Sequence, residues 1–266
     1  MKKILVPIDF SENAKRALSY AVQFAVTADA SLTVYHICVN KLNLKDQREL
    51  EKELSNFCNN TLEKHDSDMD LISSNVINGE SIKAINEVDI ISTIDLVVMG
   101  TKGASDVNTD LVGSNTINLI NSCSKPILVI PPHADYIKAS NIMFCSDYKE
   151  LEIDYSLPIL KEFVTLMESN LRIVHIKTND NAPHPVHIEE SRREGKFFEP
   201  EVKPAYKLVH AKNVFDGINY YTNLKGDNEI LAMVNRHHSF FNRLFRTNTT
   251  EKLAYHTDVP LLVLPE

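Results

Sequence analysis

Apolar runs of strand length recur along the first half of the chain: KILVPID at 3–9, SLTVYHICV at 31–39, LISSNVI at 71–77, DLVVMG at 95–100 and PILVIP at 126–131. Between them, stretches at 11–28, about 45–65, about 80–93 and 114–123 carry the mixed polar and apolar spacing of helices. Leu50, Leu54, Phe57 and Leu62 mark the buried face of the second stretch, and its charges read as a solvated face. Ser11 followed by Glu12 supplies an N-cap and an acidic first turn. Val- and Ile-rich strands that are apolar on both faces, alternating with helices, predict a parallel sheet covered on both sides. That is a doubly wound α/β domain, whose ligands bind beyond the carboxyl ends of the strands.

The pattern then repeats. KKILVPIDFSENA at 2–14 aligns with SNIMFCSDYKELE at 140–152, and LTVYHICVN at 32–40 with LRIVHIKTN at 171–179. DLVVMGTKG matches EILAMVNRH, and KPILVIPP matches VPLLVLPE, in one register: Met99 and Met233, like Pro131 and Pro265, are 134 residues apart. Two copies are expected, 1–134 and 138–266, joined at PHADYIKAS. His36 and His175 recur at the end of the second strand, where bonding to a neighbouring loop is expected rather than metal ligation.

Composition narrows the class without naming a function. The 266 residues suffice for two domains of ordinary size, with 43% hydrophobic and 24% charged residues as in soluble globular proteins. Apolar runs stay far below the ~18 residues of a membrane helix, and the N-terminus lacks the long apolar core of a signal peptide. Cys38, Cys58, Cys123 and Cys145 show no paired spacing, so neither a zinc finger nor a disulfide framework is suggested. A cytoplasmic location is expected. A net charge of −8 argues against general nucleic-acid binding, which draws on clustered Lys and Arg.

The glycines point to chemistry. Three of the seven, Gly100, Gly103 and Gly113, fall within MGTKGASDVNTDLVGSNT at 99–116. Gly100 and Gly103 would turn the chain off the fourth strand, and Gly113 with Ser114 would open a helix whose first N–H groups remain free for an anion. Ser114 and Thr116 add hydroxyls. The result is a phosphate cradle without a P-loop lysine, since GxxxxGK[ST] is absent. Asp9 could accept from a ribose hydroxyl or an exocyclic amine, with Pro7, Ile37 and Met99 as apolar walls. The blander reading takes the glycines as turn punctuation alone.

These residues resemble the universal stress protein family, whose nucleotide-binding members carry Gly-x-x-Gly, nine residues, then Gly-Ser or Gly-Thr. Gly100-Thr-Lys-Gly103, nine residues, then Gly113-Ser114 satisfies that pattern. VPIDFSENAKRAL, VYHICV, NGESIKAI and KPILVIPP extend the similarity, which spans both copies. The resemblance implies two tandem Rossmann-like domains, each a five-stranded parallel sheet of order 3-2-1-4-5, packed as an intramolecular pseudo-dimer that could dimerise further. It also implies ATP, ADP or AMP with Mg²⁺, in a regulatory or stress-response role read by an unknown protein partner. By position, Pro7, Asp9, Ile37 and Met99 would line the nucleoside. Gly100, Gly103, Gly113, Ser114, Asn115 and Thr116 would surround the phosphates.

The second copy departs from that pattern: Val234, His237, Thr247 and Asn248 stand where the first has Gly100, Gly103, Gly113 and Ser114, and Cys145 stands for Pro7. Its Asp147 survives, but ATP binding in the family manner is not expected there. His184, His187 and His237 are weak candidates for a metal site, against ordinary surface histidines. The basic-aromatic RHHSFFNRLFR at 236–246 reads first as a packing lid, second as a contact surface. A dedicated enzyme is not expected, because the SGGxDS and HxGH motifs of the wider fold group are absent. The alternatives are slow ATP hydrolysis and a scaffold that binds no nucleotide.

Overall fold

The computed structural model describes residues 1–39, 43–79, 82–87, 89–101, 113–146, 155–178, 195–225, 229–235 and 259–265. Among these the chain forms two compact units, divided between Tyr136 and Ile137. The expected joining segment thus begins inside the first unit. Its Asp135 pairs with Arg16 at 2.8 Å, and the Tyr136 hydroxyl lies 2.6 Å from that of Thr27, both partners on the first helix.

The first unit runs β1 (Lys3–Ile8), α1 (Glu12–Ala28), β2 (Ser31–Cys38), α2 (Leu44–Lys64), β3 (Ile72–Asn78), β4 (Leu96–Gly100), α3 (Ser114–Ser122) and β5 (Ile127–Ile130). The strands are parallel, in the order β3-β2-β1-β4-β5. Ser11 caps α1, its hydroxyl accepting the Ala14 N–H at 3.1 Å. Every residue of β4 is buried, as the unbroken apolar run requires of a central parallel strand. On α2, Leu54 and Leu62 are buried beside Cys58 and Thr61, while Leu50 and Phe57 are half-buried.

The stretch at 80–93 departs from the expected helix. Its described residues form two 3-10 turns, Ile82–Glu87 and Asp89–Thr93. The second is the run DIIST, whose Asp, Ile, Ser and Thr are all modest helix formers. Short 3-10 pieces are the usual outcome of such a sequence between strands.

The second unit contains β6 (Asn141–Cys145), α4 (Ser156–Met167), β7 (Asn170–Lys177), β8 (Ala205–His210), α5 (Val214–Lys225), β9 (Glu229–Asn235) and β10 (Leu261–Pro265). Its parallel order, β10-β9-β6-β7-β8, is again 3-2-1-4-5 when the strands are numbered within the unit. Both units therefore have the expected architecture.

Candidate functional site

In the first unit the order of strand addition reverses between β1 and β4, which are parallel, because β2 and β3 lie on one side of β1 and β4 and β5 on the other. Such a switch point leaves a crevice at the carboxyl ends of the strands. Pro7 sharpens it. Lacking an N–H, it cannot donate to either neighbouring strand. The β1–β2 ladder reaches Ile8↔His36, whereas the β1–β4 ladder ends at Leu5↔Val97.

Asp9 follows at the mouth, half-buried, with Oδ1 accepting the Ser11 N–H at 3.1 Å. Phe10 takes the left-handed conformation, φ 59°, uncommon for a bulky residue. Its ring lies 4.7 Å from that of His36 and 5.5 Å, edge-on, from that of Phe57. His36 Nδ1 lies 2.8 Å from the Ile8 carbonyl, fixing the end of β1 against β2. Ile37 is half-buried on β2 beside Gly79, whose N–H donates to the Cys38 carbonyl at 3.0 Å. A Cβ on Gly79 would lie 2.3 Å from Ala84 Cβ, so the turn after β3 admits no larger residue without moving.

On the other side, Met99 and Gly100 end β4, both buried. Gly100 has no positive φ. Its constraint is a close approach: a Cβ there would stand 3.1 Å from the Asn13 carbonyl oxygen and 3.2 Å from Asn13 Cβ. The glycine lets the first turn of α1 rest on the end of β4, and the expected role in turning the chain is replaced by packing. Gly113, the N-cap of α3, is likewise extended, φ −63° and ψ 151°, so it too needs no left-handed freedom. What it contributes is the lack of a side chain: α3 has no side-chain cap and no acidic residue in its first turn. Ser114 and Asn115 are exposed on that turn. An uncapped helix end offers N–H groups and a positive dipole to an anion.

Thr116 differs from expectation. It is 2% exposed, and its hydroxyl donates to the Gly100 carbonyl at 2.9 Å, with the Thr101 carbonyl at 3.4 Å. The hydroxyl is used on the backbone. Thr101, Asn13, Phe10 and Gly79 escaped the sequence reading. The only local signal among them was the Asn78-Gly79 dipeptide, a turn former. The Thr101 hydroxyl is buried and without a partner among the described residues. Gly103, Lys102, Asp106 and Asp110 lie outside the described residues, as do Asp147, His184, His187, His237 and the segment 236–246. Among the described residues no group of three or more His, Cys, Asp or Glu could hold a metal ion, and no helix is long and apolar enough to cross a membrane.

Comparison with known proteins bears on this architecture directly. The model of the universal stress protein family matches residues 1–131. The first unit is a universal stress protein domain. A universal stress protein of Methanocaldococcus jannaschii is 25% identical over 156 residues, 48% of this chain and 94% of that protein. Among solved structures, a universal stress protein of Archaeoglobus fulgidus matches 99% of this chain and 98% of its own, at 16% identity and a TM-score of 0.69. A functionally unknown protein of Pseudomonas aeruginosa matches 100% of this chain and 92% of its own, at 13% identity and a TM-score of 0.60. At those identities the structures speak for the fold alone, and the match extends over both units.

The corresponding place in the second unit is built from other residues. Cys145 ends β6 where Pro7 stands in β1, and the β6–β9 ladder stops one residue short of it, at Phe144↔Ala232. Val234 is buried where β4 has Gly100. His175 keeps the bond of His36, with Nδ1 3.0 Å from the Ser146 carbonyl.

Proposed function

We propose that the first unit binds an adenine nucleotide as a regulatory ligand, with its phosphates at the N-terminus of α3, and that the second unit does not bind one in this way. The observation that carries the reading is the uncapped α3 terminus beside the switch-point crevice, with Gly113 at the N-cap and Ser114 and Asn115 exposed. The residues fit the group. A polyanion takes the place of the missing cap and of the missing acidic charge in the first turn. Asp9, Pro7, Ile37 and Met99 would hold the nucleoside; Gly100, Gly103, Gly113, Ser114 and Asn115 would face the phosphates and an accompanying Mg²⁺. The glycine spacing of the family's nucleotide-binding members supports the same choice.

Occupancy stabilises the bound form by about 2.7 kcal/mol at a hundredfold excess over the dissociation constant. That suffices to bias a conformation read by a protein partner. In this reading any ATP hydrolysis is incidental, and intracellular nucleotide is the signal.

The test is calorimetric titration of ATP with Mg²⁺ into the full chain, beside the Gly113→Val variant. The extended backbone at 113 is one that any residue adopts, and the melting transition of the variant, whose position 113 is buried, is recorded beside the titration. One site per chain, lost in the variant, is the expected result. No heat from a wild-type protein free of copurified nucleotide would overturn the reading.

A further inference from the structure

We propose that Thr116 is a positioning residue for the phosphates: its buried hydroxyl clamps the first turn of α3 to the end of β4, fixing the N–H groups that face the anion. The inference rests on the nucleotide reading above and assigns a role that the reading itself does not contain.

Thr116 occupies the third helical position of α3, where a side chain ordinarily turns back to the helix's own N-cap. Here it turns the other way. The hydroxyl reaches Gly100, sixteen residues earlier, at 2.9 Å, and is buried there. It does not act alone. The Gly113 N–H donates to the Thr101 carbonyl at 2.7 Å, and the Thr101 N–H donates to the Ile130 carbonyl at 3.2 Å. The N-cap and the third residue of α3 are thus both tied to the last two residues leaving β4. Those residues are held in turn by β5 on one side and, through the close approach at Gly100, by Asn13 of α1 on the other.

The clamp has a chemical consequence because Gly113 contributes no side-chain cap. Nothing on the helix itself satisfies its first N–H groups, so their direction is set by how the turn is pinned. A pinned donor array binds an anion without first ordering itself, which lowers the cost of association. Loosening the pin therefore weakens the recognition of phosphate. It leaves untouched the contacts to base and ribose, which come from β1, β2 and the end of β4.

The experiment compares ATP and adenosine on the full chain for the wild type, Thr116→Val, Thr116→Ala and Thr116→Ser. Thr116→Val keeps the shape and removes the bond to the Gly100 carbonyl; when the loosened turn must be reordered by the anion, a lost buried bond of this kind weakens binding by up to about tenfold. We expect Thr116→Val to weaken ATP about tenfold with adenosine unchanged, and Thr116→Ser to retain wild-type ATP affinity. Thr116→Ala repeats the deletion should the valine variant fail to fold.

Wild-type ATP affinity in the folded deletion variants overturns the clamp alone. So does an equal loss for ATP and adenosine, which marks a general structural role. Should both deletions unfold while Thr116→Ser folds, the hydroxyl serves the fold rather than the ligand, and the proposal fails. If the wild type binds neither compound, the nucleotide reading fails first and takes the clamp with it.

Discussion

The two units solve the same folding problem and diverge at the same place. In each, the histidine near the end of the second strand holds the end of the first: His36 Nδ1 lies 2.8 Å from the Ile8 carbonyl, and His175 Nδ1 lies 3.0 Å from the Ser146 carbonyl. The strand order is identical. At the crevice, however, Pro7 and Gly100 of the first unit are replaced by Cys145 and Val234. At the opposite end of the strands the exchange runs deeper. Asp95 is exposed and accepts the N–H groups of Lys2 and Lys3 at 2.6 and 3.1 Å. The side chain of its counterpart Glu229 is 1% exposed and pairs with Arg172 at 2.9 Å, where the first unit has the buried Thr33. Requirements of the sheet are kept in both copies, while residues at the crevice and in a local pairing vary.

The largest expected effect tests the exchanged charges. Arg172→Met removes the ion pair of the buried Glu229 carboxylate and should cost about 3–5 kcal/mol, read from the denaturant transition of the second unit. Replacing both members with apolar residues should recover most of that loss. Asp95→Asn in the first unit keeps an acceptor and should cost about 1 kcal/mol or less. Comparable costs in the two units would mean that the pair at 172 and 229 is no more buried in effect than its counterpart.

The next effect concerns the crevice. Gly100→Ala places a methyl 3.1 Å from the Asn13 carbonyl oxygen and should cost about 1–3 kcal/mol by forcing α1 outward, together with ATP affinity. Val234→Ala removes two methyl groups and should cost about 1.5 kcal/mol without changing ATP binding. An ATP affinity that falls with Val234→Ala would break the assignment of the ligand to the first unit.

The smallest effect is chemical. Burial, aided by the charge of Glu229, pushes the Cys145 thiol up to about 12, and burial likewise pushes Cys58 up to about 12. Both stay protonated near neutral pH, so alkylation at pH 8 should be slow at buried Cys58 and at half-buried Cys145. Rapid modification of Cys145 would show that the second crevice is open to reagents at a place where the first is expected to take a nucleoside.

Much of this was legible in the residues. The alternation of apolar runs with helical stretches gave the α/β class, and the constant register near the end of each copy gave the repeat. The recurrence of His36 and His175 at the same strand position points to a structural role, and each bonds to a carbonyl at the end of the first strand of its unit. Two of the departures share one cause. Gly100 looked like a turn glycine because it follows a strand, yet its constraint is the first turn of α1, which lies 87 positions away at Asn13. Thr116 looked like a phosphate ligand because it opens a helix after Gly-Ser, yet its hydroxyl serves a carbonyl sixteen residues back. The stretch at 80–93 carried helical spacing over residues whose propensity favours short turns.

By itself the sequence determined the strands, most of the helices and the duplication, because burial on a sheet face or a helix stripe is a periodic demand written locally along the chain. It also determined which copy keeps the glycines. Only the tertiary structure decided what Gly100 accommodates, where the Thr116 hydroxyl points, and that Glu229 is buried against Arg172. Such questions turn on which atoms of distant segments come within hydrogen-bond or van der Waals reach, and no local period encodes them.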